Sequence, residues 1–104
     1  MAATLDSNPS PKSGCVKEHP VRVINTNGKL HSLNRPVVLQ VKNEGGTYFA
    51  ENGFLEICGY GDTASEALDD AIKDIAYYYE YYGNLNENEV TGHGVTIRNR
   101  FLDL

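Results

Sequence analysis

Fourteen carboxylates, three histidines and two cysteines are the groups in this 104-residue chain that could do acid–base, metal or thiol chemistry. Their spacing limits that chemistry. His19, His31 and His93 fall in three separate segments, with no HxH, HExxH or paired Cys/His spacing of the kind that holds a metal. Cys15 and Cys58 lie 43 residues apart and form neither a CxxC pair nor a disulfide framework, so a reduced, cytoplasmic setting is expected. Cys58 reads as a small core residue closing a buried strand, and Cys15 as a free thiol in a terminal arm. Glu51, Glu56 and Asp62 could converge near a sheet edge, the arrangement that paired divalent ions need for hydrolysis. Asp62 and Glu66 already have a task as helix-capping groups, so no metal is required to explain them. There is no GxGxxG or GxxxxGK[ST] phosphate loop. Gly59-Tyr60-Gly61 precedes a helix, where an anion could sit, but Asp62 opposes one. No cofactor, metal or catalytic group is expected, and the chain reads as a non-enzyme.

Charge points to binding. Residues 1–42 carry six Lys/Arg against Asp6 and Glu18, a balance of +4, whereas residues 43–93 carry Lys73 against eleven acids, a balance of −10. The last eleven residues return to +1 through Arg98, Arg100 and Asp103, for a net −5. Such a centre repels nucleic acid and attracts basic partners, although a solvated acidic face that keeps a small protein in solution accounts for the same charges. The acids Glu44, Glu51 and Glu56 lie on or beside strands with no capping role, and are the expected partner-binding residues.

Aromatic residues form the second cluster. Tyr77, Tyr78, Tyr79, Tyr81 and Tyr82 crowd one end of a helix and cannot share one face. Tyr79 and Tyr82 continue the apolar stripe, Tyr78 flanks it, and Tyr77 and Tyr81 point away from it. Tyr77, Tyr78 and Tyr81 are therefore expected at a homo-oligomer contact, since tyrosine is enriched at interfaces. Stacking on nucleic-acid bases would need basic neighbours, and Lys73 is the sole one on this helix.

These residues must be positioned by one domain, because 104 residues make one core and no run of 18 apolar residues crosses a membrane. The opening residues lack the basic and apolar regions of a secretory signal. Residues 1–20 read as a flexible, Ser/Pro-rich arm and 21–104 as the domain. Val21–Ile24 and Lys29–Leu33 flank an Asn27-Gly28 hairpin turn. Pro36–Lys42, Thr47–Glu51 and Phe54–Cys58 follow as a meander, with turns at Asn43–Gly46 and Asn52-Gly53. Tyr48 and Ala50 face one side of the sheet, Phe49 and Glu51 the other.

Asp62, Thr63 and Glu66 then cap a helix over 63–82, whose stripe runs through Ala64, Ala67, Leu68, Ala71, Ile72, Ile75, Tyr79 and Tyr82, with Gly83 as its stop. After a polar loop from Asn84 to His93, the alternation of Val95, Ile97, Asn99 and Phe101 against Arg98 and Arg100 predicts a closing strand over 94–104. The expected fold is α+β: a two-layer antiparallel β-meander of three to four strands covered by one long helix (β-β-β-α-β), with an N-terminal hairpin.

Residues 36–83 resemble the HicB-like antitoxin family. The likeness is carried by the strand ending in Gly45-Gly46, the aromatic strand Thr47-Tyr-Phe-Ala50, and Gly61-Asp-Thr-Ala-Ser-Glu-Ala-Leu68, which is similar to the family's GDT-x-x-EAL helix start. The resemblance implies a truncated ribonuclease H-like fold used for binding, neutralising a small basic HicA-type ribonuclease by covering its catalytic surface. Family members often add a C-terminal DNA-binding domain. Only 21 residues follow Gly83 here, too few for one, so direct nucleic-acid binding is not expected. Two alternatives stay open: a stand-alone oligomeric module with no toxin, and a degenerate ribonuclease H-like nuclease using Glu51, Glu56 and Asp62.

Overall fold

The structure, a computed structural model, describes residues 17–85 and 91–104. Most of the expected arm, with Cys15, and the middle of the loop after the long helix lie outside the described residues. Four antiparallel strands follow one another in space as in sequence: β1 (Lys17–Thr26), β2 (Lys29–Glu44), β3 (Thr47–Asn52) and β4 (Ile57–Gly61). Helix α1 (Ala64–Asn84) covers one face, and a short helix α2 (His93–Leu102) packs beside it. The expected α+β meander under one long helix is present, and the N-terminal hairpin belongs to the same sheet. Lys17–Pro20, placed in the arm by composition, are the first residues of β1.

The long β2 joins two segments that the sequence separates. Its pairing with β1 slips between Val21, opposite Val37, and Val23, opposite Ser32. Pro36, which lacks an N–H for a ladder bond, falls within that slip, the place where a central strand tolerates proline. Alternation along the strands buries Val37, Leu39, Val41, Ala50 and Ile57 against Ala67, Ala71 and Ile75 of α1, as period-two and helical patterning require. Gly59 lets the two layers touch. A Cβ there would lie 2.5 Å from the Ala67 carbonyl oxygen and closer still to the Ala71 amide nitrogen.

Two expectations are corrected. Within the segment 94–104 the chain forms helix α2 as far as Leu102, not a strand. Ile97 and Phe101 are four apart, a spacing that shares one face in a strand and in a helix alike. In the structure both are buried, with Phe101 5.4 Å from the Tyr82 ring and 6.1 Å from that of Tyr78, centroid to centroid. Cys58 is exposed rather than in the core. Gly53–Glu56 form a turn closed by the Glu56 amide on the Gly53 carbonyl (3.3 Å), so β4 starts at Ile57 and turns Ile57 and Gly59 inward, Cys58 outward. Phe54 lies in that turn, its ring under the Arg100 guanidinium and its carbonyl accepting from Arg100 Nη1 at 2.8 Å.

Candidate partner-binding surface

Lys42, Phe49 and Tyr60 form one row across the outer face of the sheet, and Gln40, Glu51 and Cys58 the next. Lys42 Nζ lies 3.4 Å from both Glu44 and Glu51. The hydrogen bond and charge of Glu44, and then those of Glu51, hold the Lys42 ammonium above its ordinary value of 10.5. Cys58 Sγ donates to Glu51 Oε2 at 3.8 Å. Partial burial, then the charge of Glu51, push the thiol above its ordinary 9.0, so it stays protonated and is a poor nucleophile.

Glu56 lies elsewhere. In the turn before β4, with φ of 56°, it meets His93 Nε2 at 2.7 Å. This pair rims a cleft of about 260 Å³ between the turn, α1 and α2, lined by Leu55, Ile57, Tyr78, Tyr82, Ile97 and Phe101. The three nominated acids thus do not form one site, and each already has a cationic or potentially cationic neighbour. Nor do Glu51, Glu56 and Asp62 converge: Glu56 and Asp62 flank opposite ends of the five-residue β4. Among the described residues no group of three or more His, Cys, Asp or Glu side chains is placed to share a metal. The histidines remain apart, His19 on β1 and His31 bonded to Thr26 Oγ1 at 2.7 Å.

The cap is built as its residue types dictate. Thr63 Oγ1 accepts from the Glu66 amide (3.1 Å), and Glu66 Oε1 accepts from the amide of Asp62 (2.9 Å), so the return bond reaches one residue further back than the standard box. From this start the helix runs through Gly83 to Asn84 and ends on Leu85, whose amide donates to the Tyr82 carbonyl. Tyr79 and Tyr82 pack against the core, while Tyr77 is 62% exposed, Tyr81 45% and Tyr78 37%. Burial, then Tyr78 and Tyr81, raise the Tyr82 phenol above its ordinary 10.0.

No protein-family model, curated protein or solved structure matches the chain. A further group of carboxylates lies on α1, away from the strands. Asp70 Oδ2 accepts from the Tyr60 amide at 3.1 Å, closing a bond on the outer edge of β4. Asp74, one turn on, has its carboxyl raised above the ordinary 3.8 by desolvation and then by Asp70. Glu51 and Asp70 both bear on Cys58, so acid runs from the outer sheet face round the β4 edge onto α1. None of the four ion pairs among the described residues involves an α1 residue. The −10 balance of residues 43–93 is the sequence signal for this group, one that a solvated acidic face also produces.

Proposed function

We propose that this chain is a HicB-like, antitoxin-type binding protein that neutralises a small basic ribonuclease of HicA type by protein–protein contact. The observation that supports it most is the acid running from Glu44 and Glu51 round the β4 edge to Asp70 and Asp74. That charge is met within the described residues by Lys42 alone among lysines and arginines. A basic ribonuclease holds RNA phosphates with its lysines and arginines, and an acidic cover competes with RNA for them while steering the encounter. The sheet offers Glu44 and Glu51 to this contact, with Glu56 at the far end of β4.

The test uses a HicA-type ribonuclease encoded beside this chain. Its RNA cleavage should fall to background at one equivalent of the chain. Glu44→Lys, Glu51→Lys and Glu56→Lys together should weaken the complex at least about tenfold, through lost attraction and added repulsion. Undiminished cleavage at excess chain, or unchanged affinity after triple reversal, overturns the reading. The exposed Tyr77, Tyr78 and Tyr81 favour a second reading, a stand-alone homo-oligomeric module, for which mass by light scattering is the deciding measurement.

A further inference from the structure

Asp70, Asp74, Tyr77 and Tyr81 follow one another at spacings of four, three and four, and so share one stripe of α1. The rings of Tyr77 and Tyr81 lie parallel, 8° between planes and 6.1 Å between centroids, with Tyr78 edge-on to both. An exposed aromatic plate thus continues directly from a carboxylate pair. The pair is crowded, since desolvation and then Asp70 disfavour charge on Asp74, and no cation of the described residues lies within ion-pair distance of either.

We infer that this stripe is a docking surface for an arginine-bearing segment of a basic protein partner. Guanidinium fits both halves: its planar fork pairs with a carboxylate and its face stacks on tyrosine, whereas a lysine ammonium is a hydrated point charge without the stacking face. The molecule shows the same stacking internally, where the Arg100 guanidinium lies 4.8 Å from the Phe54 ring centroid. A second copy is a poorer occupant. Each copy carries a net −5, and joining two such stripes brings Lys73 as the one α1 cation of each. The inference rests on the binding-module reading and adds which surface is used and which side chain it selects. Because the test below uses synthetic peptides and no ribonuclease, the two can fail separately.

The chain contains no Trp, so its tyrosine emission, together with calorimetry, reports binding of hexa-arginine and hexa-lysine at low salt without interference from indole. Hexa-arginine should bind at least about fivefold more tightly than hexa-lysine. Tyr77→Ala with Tyr81→Ala should abolish that preference while leaving far-UV dichroism and melting temperature unchanged. Tyr77→Phe with Tyr81→Phe should keep it. Asp70→Asn with Asp74→Asn should weaken both peptides, whereas Glu44→Gln with Glu51→Gln should leave the preference intact. Equal binding of the two peptides, or a preference that survives loss of both rings, overturns the inference. So does a wild-type dimer by light scattering that Tyr77→Ala with Tyr81→Ala converts to monomer, since the occupant is then a second copy.

Discussion

At Asp74 the folded chain holds a carboxylate less comfortably than water does. Its carboxyl is raised above 3.8 by desolvation and by Asp70, so the folded state binds that proton more tightly than the unfolded chain. Stability from this group is therefore fully present below about pH 3.8 and is lost as pH rises through the raised value. Asp74→Asn should raise the melting temperature at pH 7 by about 2 °C, a small gain because solvent screens the site, and by nothing at pH 3. Thermal scans at the two pH values check both halves of the statement, and equal shifts at both would contradict it. Keeping an unfavourable carboxylate at this position is consistent with a surface shaped for an outside cation. Its position relative to Tyr77 and Tyr81 was legible in the sequence from spacing alone. The second contact of Asp70, on the β4 edge through the Tyr60 amide, was not, because no linear pattern reveals it.

Among the elements, the junction of β4 and α1 decides how the acidic stripe is aimed. Gly59 sits against the Ala67 and Ala71 backbone, so the helix lies directly on the last strand. Gly59→Ala must push α1 off β4, and overpacking of backbone against backbone should cost about 3 kcal/mol, read as a fall in urea midpoint. A loss below about 0.5 kcal/mol would show that the layers separate easily and that the approach is not structural. The meander and the capped helix were legible because turn residues, β-branched runs and the Thr63/Glu66 pair all agree. The last element was not, since the four-residue spacing of Ile97 and Phe101 suits either period. The ambiguity is resolved by Tyr78 and Tyr82, whose rings leave room for an aromatic plug from a packed helix. Cys58 is exposed for a local reason: Leu55, Ile57 and Gly59 alternate inward and leave Cys58 on the outer face, while Asn52 Oδ1 accepts from the Leu55 amide at 2.8 Å in the turn before β4.

For the whole molecule, the irregularity in β2 and the end of α2 belong to one structural solution. Where the β1–β2 ladder slips, the Asn34 amide has no partner strand, and it donates to the Leu104 carbonyl at 3.1 Å. Arg35 pairs with Asp103 at 3.3 Å, but both side chains are about two-thirds exposed, so this contact contributes little. Leu104 is 9% exposed and belongs to the same buried cluster as Val37 and Leu55, beside the slip. The closing residues thus act as a patch on the sheet, in the place where a closing strand was expected. Leu104→Ala keeps the carbonyl and removes the apolar cover, and should cost about 2 kcal/mol. Removing Asp103 and Leu104 together also strips the Asn34 amide of its acceptor, and should cost about 1 kcal/mol more. Urea denaturation should show falling midpoints with an unchanged slope, because the cooperative unit is the same. Hydrogen exchange separates the two contributions: the Asn34 amide should exchange faster in the deletion but stay protected in Leu104→Ala. If both variants match the parent in midpoint, the slip is held by the β1–β2 ladder alone, and the residues after α2 add nothing to it.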